Sequence, residues 1–143
     1  MSGKNCQKVL ITGGSRGIGR GIAHTLNQEG YRVIAIGKSE KAEFLNSDIR
    51  YIQADLSTSN GIDKICNLIL SEKPVILINC LGIEKNSKFT QITEEDYNLV
   101  MRTNVTSHVE LSKAVIPNMI EIGWGKYSRR LHRACIGAKK HRR

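Results

Sequence analysis

The feature that most constrains this chain is an eight-residue stretch near its start, Thr12-Gly13-Gly14-Ser15-Arg16-Gly17-Ile18-Gly19, placed between two different hydrophobic periods. Before it, residues 8–12 read Lys-Val-Leu-Ile-Thr, the continuous β-branched run of a strand covered on both faces. After it, residues 17–29 carry Ile18, Ile22 and Leu26 at helical spacing, with Gly30 as the stop. A strand, a glycine turn and a helix begin a β/α alternation, and the alternation continues. Residues 31–37 and 49–54 read as the second and third strands. Asp55-Leu56-Ser57 turns into a helix over about residues 60–72, and residues 74–79 form the fourth and most apolar strand. From Thr93 two helices follow. The first has a hydroxyl to cap it and acids suited to the positive end of its dipole. The second, about residues 104–122, carries Val105, Val109, Ser112, Ile116 and Met119 on one face.

Four such units predict an α/β fold, a Rossmann-type doubly wound parallel sheet with right-handed crossovers. The pattern predicts a sheet that stops after the fourth strand and its following helices. The expected organisation is a dinucleotide-binding unit over residues 1–125 and a disordered basic tail over 126–143. Of the 22 Lys and Arg, eight fall in that tail with no acid, while all 13 Asp and Glu lie before it. The net charge of +9 is therefore mostly the tail's. A block of like charge without aromatic platforms or a recognition helix disfavours specific nucleic-acid binding. No apolar run approaches the ~18–20 residues of a membrane span, and the start MSGKNC shows no signal-peptide pattern. Cys6, Cys66, Cys80 and Cys135 form no CxxC pair, and no histidine has ligand spacing, so no metal site is expected. Reduced thiols and a cytoplasmic location are the expectation.

A turn of this kind needs glycine for positive φ, for close approach of backbone to a diphosphate and for tight helix–strand packing. The diphosphate rests on free N–H groups at the positive end of the helix. Thr12, Gly13, Ser15, Arg16, Gly17, Ile18 and Gly19 are thus the first candidate binding residues.

TGGSRGIG resembles the Thr-Gly-x-x-x-Gly-x-Gly form of the short-chain dehydrogenase/reductase family, in its 3-oxoacyl-carrier-protein-reductase-like members. The resemblance runs on through Asp55-Leu56, which in the family contacts the adenine. Next come Asn79-Cys80-Leu81-Gly82, similar to Asn-Asn-Ala-Gly at the end of the fourth strand, and Asn104-Val105, whose Asn is one of four catalytic-site residues. These motifs cover about 120 residues. The resemblance implies cofactor binding by Asp55, Leu56, Asn79 and Gly82, a catalytic-site role for Asn104, and homo-oligomers in the intact family. Cys80 and Leu81 depart from it, and leucine is larger than the family's small residue beside the cofactor.

A carboxylate at the end of the second strand would bond the ribose 2′-OH of NAD and repel a 2′-phosphate. Here that strand ends Ala35-Ile36-Gly37-Lys38, and Arg16 lies in the glycine turn. Two cations near the 2′ position point to NADP(H) over NAD(H); the other reading makes both solvated surface charges. The family's proton chemistry uses a Tyr whose pKa is lowered by a Lys four residues on, with a Ser on the substrate oxygen. Tyr127 is followed four positions later by Leu131, and Ser128 is expected to have no strand to carry it. The leading expectation is therefore the cofactor-binding part of an NADP(H)-dependent short-chain oxidoreductase, cut short by a frameshift or internal stop and inactive alone. One alternative is a non-catalytic nucleotide-binding module whose basic tail binds a polyanion. Another is a subunit completed by a second chain.

Overall fold

The computed structural model describes residues 7–42, 48–129 and 135–136. Their strands are β1 (Lys8–Thr12), β2 (Arg32–Gly37), β3 (Arg50–Gln53), β4 (Ile76–Asn79), β5 (Lys126–Arg129) and β6 (Cys135–Ile136). They form one sheet in the order β3-β2-β1-β4-β5-β6. The first five strands are parallel, and β6 runs antiparallel to β5. The helices are α1 (Gly17–Gln28), α2 (Ser59–Glu72), α3 (Glu94–Met101) and α4 (Ser107–Glu121). A π-helical turn, Arg102–Thr106, joins α3 to α4.

The alternation of side chains along each strand divides the core into two layers. Leu10, Ile34, Ile36 and Leu77 face α2 and α4, meeting Ile62, Ile65, Ile69, Leu111, Val115 and Met119. Val9, Ile11, Val33, Ala35 and Ile76 face the other way, towards Ala23, Ile22 and Leu26 of α1. Both faces are covered, which is what continuous apolar strands require; each fully buried Leu or Ile contributes about 1.5–3 kcal/mol. Local signals fix the helix ends. Gly30 at φ 86 closes α1, with Tyr31 N–H donating to the Leu26 carbonyl at 3.0 Å. The Thr58 and Thr93 hydroxyls accept from Gly61 N–H and Asp96 N–H at 3.1 Å, capping α2 and α3.

Two expectations are corrected. The sheet does not stop at β4: Lys126–Arg129 pairs with it in parallel, and Ser128 lies opposite Ile78. The open edge of β4 offers unpaired backbone groups, which a polar segment can satisfy without apolar side chains of its own. Lys126 N–H donates to the Val75 carbonyl at 2.9 Å, and Tyr127 packs on the layer under α2 and α4. The remaining tail residues lie outside the described residues. The face of α4 is also different. Val109 and Ile116 are exposed, and the buried stripe is Thr103, Ser107, Leu111, Val115 and Met119. The hydroxyls hide the true stripe in the sequence. Ser107 satisfies its own by donating to the Thr103 carbonyl at 2.7 Å, so its small side chain can be buried.

Candidate functional site

β1 leads to β2 on one side and to β4 on the other, so the chain reverses its winding between β1 and β4. A crevice opens there, at the carboxyl ends of the strands. It is a groove of 530 Å³, bounded by the glycine turn, the ends of β2 and β3, the segment after β4, and Leu99 and Thr103.

Three glycines of the turn have different work. Gly13 (φ 68) lies so close to the segment after β4 that a Cβ there would sit 3.0 Å from the Leu81 backbone. A Cβ on Gly19 would run into the Gly13 carbonyl, so this glycine lets α1 approach the turn. Gly17 also has positive φ (55), yet a Cβ there would meet nothing within 4 Å. It opens onto free space at the first residue of α1. Arg16 is the N-cap residue, its side chain makes no capping hydrogen bond, and the first turn of the helix holds no acid. Free N–H groups and the positive end of a twelve-residue helix thus stand at the wall of the groove, where an anion fits.

The outer end of the groove carries the charges. Lys38 Nζ lies 2.8 Å from Asp55 Oδ2, with the lysine side chain 77% exposed. Asp55 Oδ1 accepts from Ser57 N–H at 3.0 Å and from its hydroxyl at 2.6 Å. Burial raises the Asp55 pKa, but the Lys38 and Ser57 hydrogen bonds outweigh it and hold the carboxyl below its ordinary range. The turn holding Asp55 is rigid. The Thr58 hydroxyl donates to the Asp55 carbonyl at 2.9 Å, and Gly61 packs so closely on that carbonyl that no side chain fits there. The segment after β2 is tied to β3 twice. Gln53 Nε2 donates to the Lys38 carbonyl at 3.1 Å and the Tyr51 hydroxyl to the Ser39 carbonyl at 2.7 Å. Burial pushes the Tyr51 phenol up, against a hydrogen bond from Ser15.

The groove collects Gly13, Ser15, Arg16, Gly17, Ile18, Gly19, Lys38, Asp55, Leu56 and Gly82 from the residues singled out in the sequence. Thr12, Asn79 and Asn104 stand behind its wall. The Thr12 hydroxyl accepts from Leu81 N–H at 3.2 Å, joining the ends of two strands. Asn79, paired with Thr12 across the ladder, is 1% exposed. Its Nδ2 donates to the Tyr127 hydroxyl at 3.3 Å, while its Oδ1 has no hydrogen-bond partner among the described residues. Asn104 binds the backbone of Ile83 through both ends of its amide. Sequence reasoning misses Ser57, which lines the groove from a turn, and Tyr51 and Gln53, which brace the segment after β2 from strand positions that carry no motif. Tyr51 opposes Ala35, two register steps before the Gly37–Gln53 pair, and this register leaves no mark in the sequence.

Among the described residues no helix is long and apolar enough to cross a membrane. Among the described residues Cys66 and Cys80 form no disulfide with each other.

Comparison with known proteins gives a consistent result. The short chain dehydrogenase family profile matches residues 7–127. An NADPH-dependent pterin aldehyde reductase of Arabidopsis thaliana is 33% identical over 138 residues, covering 82% of this chain and 57% of that protein. The 3-oxoacyl-acyl-carrier-protein reductase FabG of Escherichia coli (strain K12) is 32% identical over 125 residues, covering 82% and 51%. Among solved structures, a short chain dehydrogenase from Leptospira borgpetersenii with bound NAD+ superimposes with a TM-score of 0.76 at 30% identity, covering 86% of this chain and 50% of that one. The chain therefore spans about half the length of the relatives it matches.

Proposed function

The chain belongs to the short-chain dehydrogenase family, and on that premise we propose that residues 1–125 are the NADP(H)-binding part of an oxidoreductase acting on a carbonyl or alcohol substrate. When bound, the nicotinamide supplies or accepts the hydride. The residues of this chain bind and orient it. Gly13, Gly17 and the first N–H groups of α1 hold the diphosphate, Ser15 and Ile18 shape the turn around it, and Gly19 lets the helix approach. Asp55 and Leu56 border the adenine, and Gly82 leaves room on the inner side. Arg16 and Lys38 take the 2′-phosphate. The Lys38–Asp55 pair is solvated and worth no more than about 1 kcal/mol, so Lys38 can exchange partners.

Thr12, Asn79 and Asn104 act as positioning residues that fix the two walls. This extends to Asn104, whose amide is engaged with Ile83. No tyrosine in the 143 residues is followed by lysine four positions on, so the reading includes no turnover by this polypeptide alone. The observation that carries it is the uncapped start of α1 beside Gly17, where φ is positive and the Cβ space is open. The alternative of a binding module with a polyanion-seeking tail shares this groove, but part of that tail, Lys126–Arg129, lies in the sheet.

The test is NADPH oxidation by the purified chain with a panel of ketones and aldehydes, alongside cofactor binding. Saturable NADPH binding without turnover is the expected result. Turnover at ordinary enzyme rates contradicts the assignment of a part that binds without catalysing.

A further inference from the structure

The end of β2 is closed to side chains by a clasp. Gly37, its last residue, lines the groove. A Cβ built on it would lie 2.6 Å from the Tyr51 hydroxyl, 2.8 Å from Ser15 Oγ and 2.9 Å from Ser15 Cβ. All three are closer than real Cβ atoms come to their neighbours. The Tyr51 hydroxyl cannot simply step aside. It donates to the Ser39 carbonyl at 2.7 Å and receives the Ser15 hydroxyl. Tyr51 thus joins β3 to both segments that border the outer end of the groove, and keeps Ser15 over Gly37.

We propose that Tyr51 is a specificity-determining residue: with Ser15 it fills the space at Gly37 that a ribose-binding carboxylate would need, and so commits the groove to the 2′-phosphorylated dinucleotide. This rests on the dinucleotide reading above. In dinucleotide folds the unphosphorylated ribose is held by an acid at the end of the second strand, through its 2′-OH. Here lack of that acid is not a mere matter of which residue occurs at 37. Any side chain there has to shift the hydrogen-bonded Tyr51 and Ser15 side chains, and the tethered Ser39 carbonyl holds the backbone just beyond Lys38. An acid introduced at 37 has to displace the clasp before it can reach the ribose. Removing Tyr51 takes away the hydroxyl nearest to that side chain and the partner that holds Ser15 in place.

The experiment compares the full chain with Gly37→Asp, Tyr51→Ala and Gly37→Asp/Tyr51→Ala, titrating NADPH and NADH and recording melting temperatures. Gly37→Asp is expected to melt lower, to lose at least tenfold in NADPH affinity and to gain nothing for NADH. The double variant is expected to recover part of the melting temperature and to bind NADH at least tenfold more tightly than the single variant. The inference is overturned by Gly37→Asp binding NADH as tightly as the double variant does, or by a folded double variant that gains nothing over it. Should Gly37→Asp not fold, Gly37→Ala carries the test: its loss in melting temperature should shrink in the Tyr51→Ala background, and strictly additive losses contradict the clasp. A starting chain that binds NADPH while these variants fail overturns this inference alone. One that binds neither nucleotide overturns the dinucleotide reading and the inference with it.

Discussion

The Asn104 side chain grips the backbone of Ile83 at both polar atoms: its Oδ1 accepts from Ile83 N–H at 2.9 Å, and its Nδ2 donates to the Ile83 carbonyl at 2.7 Å. The π-helical turn between α3 and α4 brings it there, and Ile83 borders the groove. No other side chain of this size offers a donor and an acceptor in that geometry. Asn104→Asp keeps the acceptor and turns the donor into a second acceptor facing a carbonyl. It should cost about 1–3 kcal/mol of stability and weaken cofactor binding about tenfold, as read by thermal melts and fluorescence titration. Unchanged binding would show that the segment after β4 does not depend on this grip.

Gly17 and Gly19 should separate binding from folding. Gly19→Ala pushes a methyl group into the Gly13 carbonyl and should destabilise the chain by about 3 kcal/mol. Gly17→Ala meets no neighbour and should cost only the left-handed backbone penalty, about 1–2 kcal/mol. Its methyl stands where the diphosphate would rest, so its binding loss should be out of proportion to its small drop in melting temperature. Equal effects of the two variants on melting and binding would contradict this division of roles.

The opposite end of the sheet supplies a pH dependence. Glu72 pairs with Lys8 at 2.7 Å and with Arg50 at 2.5 Å. Hydrogen bonds from Lys8 and then Arg50 hold its carboxyl below the ordinary range, against a smaller effect of burial. A depressed folded-state pKa contributes stability that is fully present above the unfolded value, about 4.3, and lost as pH falls through the folded value. Glu72→Gln should therefore cost about 1 kcal/mol near neutral pH. The gap to the unaltered chain should close as pH falls below about 4.3. Melting curves across that interval check it, and a gap independent of pH would mean that the ion pairs contribute nothing.

Arg16 and Lys38 should act on one nucleotide and not the other. Among the described residues no ion pair engages Arg16, whereas Lys38 must leave Asp55. Arg16→Ala should weaken NADPH about tenfold, or about 1.4 kcal/mol, with NADH little changed. Lys38→Ala should have a smaller effect, and both effects should shrink at high salt. Parallel titrations with the two nucleotides decide this; equal losses for both would place the two cations away from the 2′-phosphate.

Much of this molecule was readable in the sequence because its signals are local. The run Lys8–Thr12, the glycines after it and the Thr93 cap each act within a few residues, and the structure keeps them. β5 was not readable, because the edge of β4 organises Lys126–Arg129 through backbone pairing that leaves no apolar mark. The α4 face was misread for a related reason: Thr103 and Ser107 are buried although both are polar, Ser107 by donating its hydroxyl to the Thr103 carbonyl within the helix, and a hydrophobic stripe does not reveal this. The motif residues in the groove were legible, while Tyr51 and Gln53, which brace its outer border, were not. Their roles arise from register with β2 and from contacts to backbone carbonyls, neither of which has a sequence pattern.

The most direct measurement is isothermal titration of the purified chain with NADPH and, separately, NADH at moderate ionic strength. The account predicts one site per chain, saturable binding of NADPH, and affinity for NADH at least tenfold weaker. Binding of neither nucleotide, or tighter binding of NADH, would contradict it.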